Sequence, residues 1–545
     1  MKSLNLRTLL AWILVVFASY LAMGFLGNYY RSFLEALLLA TCLQLAAGVF
    51  SFYLIEQAAR LHSYHSMDFH LLLWLLVGGW LFVLRMFGML QQFPRLFDAT
   101  YILVENEQLI PFAFASILSL VFFVLKSESM MGIKFHMKKA VSFFDGNGPG
   151  LLLAGTFFAI YFPMAVTFNQ PVFDVDDIFF DTDGLLWRTR FTTEAFQDYY
   201  WRSVHPFVLL LIRPLVSFIA FFLKGDKLAA ACVLTALAGA LCVYLAWDFV
   251  KQKTGNSVYA ALIAALFGAS AAHLVFGSLL ETYIFLSALA LAFMVFLLRD
   301  RLLWVLVVTG LASFGITLLN FIHMLIAFIF VKRNFQEWIK YGVVVGVLAV
   351  SLTFLNNFVY PDSQPYFFVP SSLGAETENT FAPSVQRAIA LGRMMLLNSI
   401  VAPEPLLLEE EIPFVKVWMF KADPMRQGEY QTGFGTLLAL TWLGLCLLGG
   451  FLFLKNYKNQ DNRFSFAFIL ILIFNFMLHL RYGKDLFLYS TNWTYAVVLF
   501  LSIQWNELSE KRWFQALLFV FTFLLLFNNF RLIQTMLVTS SLHVK

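Results

Sequence analysis

Long apolar runs recur along almost the whole chain, and charged residues gather in the gaps between them. Most of these runs are close to the roughly 20 apolar residues that a helix needs to cross a bilayer. Of the 545 residues, 60% are hydrophobic and 13% are charged, and the mean hydropathy is +0.76. A soluble domain is about half apolar and a quarter charged. The pattern therefore predicts a membrane protein and excludes soluble, fibrous and disordered chains.

The net charge and the cysteines exclude several kinds of partner. The chain carries 37 Lys+Arg and 33 Asp+Glu, a net charge of +4. Cytoplasmic loops of membrane proteins take an excess of basic residues, so little charge remains for binding nucleic acid. All four cysteines lie inside apolar runs, which excludes a disulfide framework and a cysteine metal cluster. We interpret Cys42, Cys232, Cys242 and Cys446 as small packing residues.

Charged residues between the first runs predict the orientation. The first run is longer than a signal-peptide core and lacks a small-residue cleavage site, so we interpret it as a retained span. Basic residues mark one side of the early runs and acidic residues the other. The positive-inside rule then places the N-terminus in the cytoplasm and residues 169–205 outside. The basic residues are Lys126, Lys134, Lys138 and Lys139, and the acidic ones are Asp98, Glu105 and Glu107.

The apolar run 207–223 decides the topology of the remaining chain. If it crossed the membrane, about twelve Lys and Arg residues of the later short loops would lie outside, against the positive-inside rule. We therefore expect it to lie in the interface or to re-enter. The fold class is then an all-α bundle of about fifteen spans. The predicted spans are 9–26, 33–55, 70–87, 109–125, 151–168, 228–250, 258–275, 280–298, 302–319, 321–331, 341–358, 434–454, 464–480, 486–504 and 513–530.

Three stretches fall on the outer side in this topology. We call residues 169–222 the first segment, residues 359–433 the second segment and residues 479–485 the late turn. The expected domain order is N-terminal helices 1–150, a core 151–358 that contains the first segment, the second segment, and C-terminal helices 434–545. The outer stretches are where we look for chemistry.

The sequence DVDDIFFDTD, at 174–183, places five carboxylates in ten residues. A solvated loop is the ordinary explanation, but Val, Ile and Phe residues alternate with the acids, so part of the sequence should lie against the membrane surface. Desolvation there raises the basicity of a carboxylate, as a general base requires. On a helix, Asp177 and Asp181 would share one face and Asp176 and Asp183 another. Either pair could place one base or bind a divalent cation such as Mg or Mn, with Asp176 and Asp177 as candidate ligands.

Two further stretches carry ionisable residues at the predicted outer face. In RSVHPFVLLLIRPL, Pro206 is explained by the start of a helix. We expect Arg202 and His205 to contact an anionic lipid phosphate. Glu281 begins a later predicted span, where an ionisable residue is a functional candidate, although the dipole of the helix would also stabilise it.

Cations of the second segment and the late turn complete the candidates. Pro383 and Ser384 predict the start of an amphipathic helix that extends to about Asn398. Its Arg387 could meet a lipid phosphate or only reach bulk headgroups. In the late turn, Arg481 and Lys484 are unusual for so short an outer loop.

In order and topology, these motifs resemble those of the GT-C superfamily of polytopic membrane glycosyltransferases. The likeness covers about 151–530 and rests on FDVDDIFFDTD, VHPFVLLLIRPL, LLETYIFLSALAL, GITLLNFI and RYGKDLFLYSTNW. The resemblance implies that a carboxylate of the first outer loop deprotonates the acceptor hydroxyl while the sugar leaves a polyprenyl phosphate carrier with inversion. By position Asp183 is the closest match to this base and Asp177 the next. The four spans before Leu151 and the single Pro after His205 depart from the usual pattern.

The expected function is therefore a lipid-linked glycosyltransferase. Its donor is a polyprenyl-phosphate-linked sugar, its acceptor is a glycan, lipid or protein, and it lies in the lipid bilayer. The resemblance leaves a metal undecided, because pyrophosphate carriers use one and monophosphate carriers generally do not. The candidate catalytic residues are Asp183, Asp177, Asp181 and Glu281, and the candidate phosphate contacts are Arg202, His205, Arg387, Arg481 and Lys484.

Two other functions remain open at this stage. One is a polysaccharide polymerase or ligase of the O-antigen type, which has many spans and a large outer loop. The second segment, however, contains no histidine, a residue on which such enzymes depend. The other is a transporter or flippase of lipid-linked sugars, which charged groups at mid-membrane depth would favour. The only sequon, at Asn492, lies within a predicted span, which favours a bacterial inner membrane over the endoplasmic reticulum.

Overall fold

The computed structural model describes residues 6–62, 67–98, 101, 103–130, 138–409, 415–458 and 461–543, and this part of the chain is mostly helical. Lys134, which entered the topology prediction, lies outside the described residues. The helices are α1 (Leu6–Leu26), α2 (Phe33–His62), α3 (Met67–Leu90), α4 (Asn106–Met130), α5 (Lys138–Phe168), α6 (Gly184–Thr192), α7 (Val208–Phe222), α8 (Lys227–Thr254), α9 (Ser257–Gly268), α10 (Ala271–Phe276), α11 (Tyr283–Leu298), α12 (Leu303–Ile316), α13 (Phe321–Lys332), α14 (Phe335–Val359), α15 (Val385–Arg393), α16 (Gly433–Asn456), α17 (Arg463–His479), α18 (Thr491–Gln504) and α19 (Arg512–Ser541).

Seven helices in the described residues are long and apolar enough to cross a membrane, namely α3, α4, α5, α8, α14, α16 and α19. The expectation of an all-α membrane protein is confirmed at this level. Each predicted apolar run coincides with at least one helix. The run 258–275, however, is not continuous. It divides into α9 and α10, because Ser270 takes an extended conformation and its side chain caps α10.

The chain divides into two compact units, 1–77 with 84–149, and 78–83 with 150–545. In the first unit, α1, α2 and α4 pack around a small core. Two buried glutamines cross-link these helices: Gln44 Nε2 donates to Ser116 Oγ at 2.9 Å, and Gln108 Nε2 donates to the Gly27 carbonyl at 2.7 Å. The core residues are Met23, Ala36, Ala40, Val104, Phe112 and Ala115.

In the second unit, α8 is the central helix and packs against α6, α7, α9, α11 and α18. Its buried face is rich in alanine and glycine, which lets neighbouring helices approach closely. Gly239 is one such position, since a Cβ there would lie 2.8 Å from Cδ2 of Tyr161. The helix α7 is 15 residues long, about 22 Å at 1.5 Å per residue, which is short of a hydrocarbon core of roughly 30 Å; α12, α13 and α18, with 14, 12 and 14 residues, are shorter still.

Backbone hydrogen bonds join the first segment, the second segment and the late turn. Phe180 N donates to the Val417 carbonyl and Val417 N to the Ile178 carbonyl, both at 2.8 Å. Phe381 N donates to the Arg481 carbonyl at 2.7 Å. The acidic sequence is therefore held beside the second segment, and the second segment beside the late turn. The second segment forms two antiparallel pairs, β1 (Leu406–Leu408) with β2 (Lys416–Trp418) and β3 (Phe420–Lys421) with β4 (Arg426–Gln427).

Candidate functional site

The acidic sequence 174–183 forms a tight turn and not a helix. Asp177 N donates to the Thr182 carbonyl at 2.8 Å, and Thr182 N donates to the Phe179 carbonyl at 3.0 Å. Asp177, Phe180 and Asp181 have φ of 67°, 55° and 62°. These values lie in the left-handed region, which a right-handed helix excludes. The pairing of carboxylates by helical spacing is therefore wrong, and tertiary partners decide where each one points.

Asp176 and Asp183 take different roles at the start of α6. Asp176 Oδ1 accepts hydrogen bonds from Leu185 N at 2.8 Å and Leu186 N at 3.1 Å, and so satisfies free N–H groups of the first turn. Asp183 occupies the N-cap position but its side chain makes no cap bond. Its carboxylate is therefore directed to another partner, the guanidinium of Arg202, whose Nη1 lies 2.9 Å from Asp183 Oδ2.

Burial and neighbouring carboxylates make Asp183 unusually basic. Its side chain is 17% exposed. Burial raises the pKa of Asp183 to about 6; Arg202 opposes this shift, and Asp176 and Asp177 reinforce it. Asp183 is then mostly ionised at neutral pH, yet it is a stronger base than an ordinary aspartate.

Glu281 lies against the backbone of Asp183. Its Oε1 accepts a hydrogen bond from Asp183 N at 3.0 Å, and its Oε2 accepts one from Thr282 N at 2.7 Å. Burial, together with the charge of Asp183, raises the pKa of Glu281 to about 8. At neutral pH the protonated form of Glu281 is favoured, so Asp183 does not face a second negative charge there.

Arg202 is fixed by two carboxylates. Besides Asp183, it contacts Asp198, whose Oδ2 lies 3.5 Å from Arg202 Nε and 3.5 Å from Nη1 of Arg190. The guanidinium also lies over the ring of Tyr200, 4.7 Å from its centroid. Among the residues that the structure describes, Nε and Nη2 of Arg202 are buried without a hydrogen-bond partner, although Nε lies within ion-pair distance of Asp198. The side chain is thus preorganised with Nη2 still available as a donor.

A buried pair, Asp181 and Asp485, connects all three stretches. Asp181 Oδ2 accepts a hydrogen bond from Asp485 N at 3.4 Å, and Asp485 Oδ2 accepts one from Met419 N at 2.8 Å. Burial, and then the charge of Asp177, raises the pKa of Asp181 well above its ordinary value, while Lys484 opposes the shift. Burial raises the pKa of Asp485 to about 7. Asp485 was not among the residues selected from the sequence. It could have been found as the third charged residue, after Arg481 and Lys484, in a turn of seven residues.

His205 lies inside the protein with its ring engaged. Its Nδ1 is 2.6 Å from the Ile316 carbonyl, and its ring meets that of Trp187 edge-on at 4.8 Å. Burial, followed by the charge of Arg202, holds the pKa of His205 well below its ordinary value. A neutral imidazole carries no charge to offset a phosphate. The phosphate contact expected of His205 stays a prediction, and its geometry favours a structural role.

Arg387 is occupied by the late turn. Its Nε donates to the carbonyls of His479 and Leu480 at 3.2 and 3.1 Å. Its Nη2 donates to the carbonyls of Tyr482 and Gly483, both at 2.9 Å. These bonds fix the shape of the turn. The predicted phosphate contact of Arg387 would have to use Nη1, which is buried and has no hydrogen-bond partner among the described residues.

Arg481 and Lys484 have exposed side chains in the same turn. Of these two, Lys484 is the one whose charge acts on Asp181.

The carboxylates do not fit a divalent cation. Within the described part of the chain, no group of three or more His, Cys, Asp or Glu residues is arranged to hold a metal ion. Both oxygens of Asp176 are already bonded: Oδ1 to backbone N–H groups, and Oδ2 to the hydroxyls of Tyr199 and Tyr200. Asp177 Oδ2 lies 3.9 Å from Nζ of Lys416, and a cation site would have to displace that ammonium.

Aromatic rings and one more acid surround the late turn. The Tyr482 hydroxyl donates to Glu376 Oε2, and the Tyr482 ring lies 5.7 Å from that of Tyr489. Tyr489 in turn meets Tyr283 at 5.4 Å. Gly483 makes this packing possible, since its φ is +104° and a Cβ there would lie 2.5 Å from Cε2 of Tyr489. Sequence reasoning missed Glu376, because nothing in its local sequence AETEN marks it.

Comparison with known proteins finds no matching family model, no similar curated protein and no similar solved structure.

Proposed function

We propose that the protein is a membrane glycosyltransferase that transfers a sugar from a polyprenyl phosphate carrier to a hydroxyl of a glycan, lipid or protein, with inversion. The observation that carries the proposal is the Asp183 carboxylate. It is fixed at 2.9 Å from Arg202, and burial raises its pKa to about 6. A general base works best when its pKa lies near the working pH, and Asp183 meets this requirement.

In the proposed step, Asp183 removes the proton of the acceptor hydroxyl as the hydroxyl oxygen attacks the anomeric carbon. A new C–O bond forms on the opposite side from the carrier, and the bond from the anomeric carbon to the phosphate oxygen breaks. The electron pair of that bond leaves with the carrier phosphate, and the proton remains on Asp183. Sugar, proton and charge are balanced without a further reactant.

Two neighbours support this role of Asp183. Arg202 orients the carboxylate through Nη1, and its positive charge opposes the rise in the pKa of Asp183, so that the base is ionised at neutral pH. Glu281 is a positioning residue, because it binds the backbone N–H of Asp183 and not the substrate. Asp177 is the second candidate base; its side chain is 31% exposed and lies close to Lys416.

The membrane arrangement is part of the same proposal. We propose a bundle of about fifteen spans of GT-C type in a bacterial inner membrane, with the site facing away from the cytoplasm. The turn that follows α5, the turn before α11 and the turn before α18 meet at the site through Asp183, Glu281 and Asp485. Carboxylates that gather at helix ends, and not at mid-membrane depth, favour an enzyme over a flippase.

The test is sugar transfer in membrane vesicles supplied with polyprenyl phosphates of several hexoses and pentoses. We compare the wild type with Asp183→Asn, Asp177→Asn and the control Asp174→Asn, which changes an exposed acid of the same turn. We expect Asp183→Asn to abolish transfer and Asp174→Asn to leave it unchanged. Full activity of Asp183→Asn would exclude it as the base, and loss in Asp177→Asn alone would assign that role to Asp177. Movement of donors across the membrane without consumption would instead identify a flippase.

A further inference from the structure

We propose that Glu376 determines the sugar specificity of this site: Glu376 Oε1 and Arg202 Nη2 bind hydroxyl groups of the transferred sugar. This inference rests on the proposed glycosyltransferase function and deepens it. It assigns a role to a residue of the second segment that lies far in sequence from the acidic turn.

The first observation is the incomplete bonding of Glu376. It lies in a 3-10 helix, Pro370–Asn379, and its Oε2 accepts the hydrogen bond of the Tyr482 hydroxyl. Its Oε1 is buried and has no hydrogen-bond partner in the described part of the chain. A buried polar oxygen without a partner is costly, and natural proteins retain one mainly where a ligand or water completes it.

The second observation is the matching donor on Arg202. Nη1 and Nε lie beside Asp183 and Asp198, while Nη2 is buried without a hydrogen-bond partner in the described ranges of the chain. Ser203, the residue after Arg202, donates from Oγ to the Ser372 carbonyl at 3.2 Å, and Ser372 lies in the same 3-10 helix as Glu376, so the backbone of Arg202 is held beside the helix that carries Glu376. The donor belongs to the side chain that contacts the proposed base, and the acceptor lies on the helix next to it.

A hydroxyl group both donates and accepts hydrogen bonds, so a sugar can satisfy the two atoms together. The rings of Tyr482 and Tyr283 pack on the buried ring of Tyr489 and are themselves only partly buried, so they can offer apolar faces to the C–H groups of a pyranose or furanose. Around the proposed base there are more carboxylates than cations. Repulsion between like charges therefore disfavours a sugar that carries a carboxylate. The sugar class is thus a hydroxylated hexose or pentose and not a uronic acid.

The experiment combines substitution of Glu376 with removal of single hydroxyl groups from the donor sugar. Wild type, Glu376→Gln and the control Glu378→Gln, an exposed neighbour, are given the donor found in the vesicle assay and its monodeoxy analogues. We expect Glu376→Gln to raise the KM for the full donor about tenfold, the factor that one buried hydrogen bond to a charged group supplies. With the wild type, one deoxy donor should show the same rise in KM as Glu376→Gln shows with the full donor. With Glu376→Gln, that deoxy donor should show no further rise in KM. Equal loss with every analogue would show a purely structural role and overturn the proposal.

Binding provides a readout that does not depend on turnover. Short-chain polyprenyl phosphates of glucose, galactose, mannose and arabinose are titrated calorimetrically into Asp183→Asn, with and without Glu376→Gln. We expect about tenfold weaker binding in the double variant for the sugar that the site accepts. Binding that depends on Glu376 without any transfer by the wild type would refute the proposed function alone. If Glu376→Gln changes neither transfer nor binding, this inference is refuted and the proposed function is not. If Glu376→Gln fails to fold, wild-type indifference to every deoxy donor still overturns it.

Discussion

Two aspartates of one turn show how much of the site depends on tertiary contacts. Nothing in the acidic sequence distinguishes the roles of Asp176 and Asp183. In the structure, Asp176 caps α6 and bonds two tyrosines, while Asp183 contacts Arg202. The sequence marked residues 174–183 as a candidate site, because the acids there alternate with apolar residues. It could not choose between the acids, since the choice depends on positive φ angles and on Glu281, 98 residues away.

At this scale the role of Glu281 can be tested by Glu281→Gln. An amide offers one oxygen, so either Asp183 N or Thr282 N loses its acceptor, and we expect kcat at neutral pH to fall roughly tenfold. The wild type should also lose activity above about pH 8, where Glu281 ionises beside Asp183. That alkaline decline should disappear in the variant. The control is Glu194→Gln, because the exposed side chain of Glu194 pairs with Lys227 and lies outside the site. If Glu281→Gln loses activity at alkaline pH as the wild type does, the role assigned to Glu281 is contradicted.

At the scale of elements, the second segment shows which features are local and which are not. The predicted helix start at Ser384 is confirmed, since Ser384 Oγ accepts a hydrogen bond from Arg387 N at 3.1 Å. The helix ends close to the expected position, after a last turn at Met394–Asn398. The bonds of Arg387 could not be predicted, because its partners are carbonyls of the late turn about 90 residues further on.

These bonds predict that Arg387→Lys destabilises the protein more than it weakens donor binding. A lysine has no fork of nitrogens to bind several carbonyls, and hydrogen bonds to a charged group contribute about 1.5–3 kcal/mol each, so we expect Tm in detergent to fall by roughly 5 °C. Arg393→Lys is the matched control in the same helix, since in the part of the chain that the structure describes Arg393 donates to one carbonyl, that of Gly428. An unchanged Tm with a raised donor KM would instead support a phosphate contact by Arg387.

At the scale of the whole molecule, the apolar runs predicted where helices form, and the structure places a helix in each of them. Sequence could not reveal the break between α9 and α10, because Ser270 reads as an ordinary small residue inside an apolar run until its capping bond is seen. The run 207–223 was separated from the spans by charge alone, and the length of α7 does not test that choice, because the predicted spans at α12, α13 and α18 form helices that are no longer than α7.

The orientation can be tested with single cysteines introduced at exposed positions. We expect an impermeant maleimide to label Asp174→Cys and Glu429→Cys in intact spheroplasts, and Arg301→Cys only after permeabilisation. The unsubstituted protein measures background labelling of its own four cysteines. Labelling of Arg301→Cys in intact spheroplasts would show that α7 crosses the membrane and that the topology is wrong.

The central claim is that the Asp183 carboxylate removes the acceptor proton, and the pH dependence of transfer tests it most directly. With a pKa of about 6, Asp183 is ionised at neutral pH and protonated in acid. The account predicts that kcat/KM in the wild type falls tenfold per pH unit below about pH 6, and that Asp183→Asn retains only a residual rate without this limb. A wild-type profile that stays flat from pH 7 to pH 5, or an Asp183→Asn variant with the same limb and rate, would contradict it.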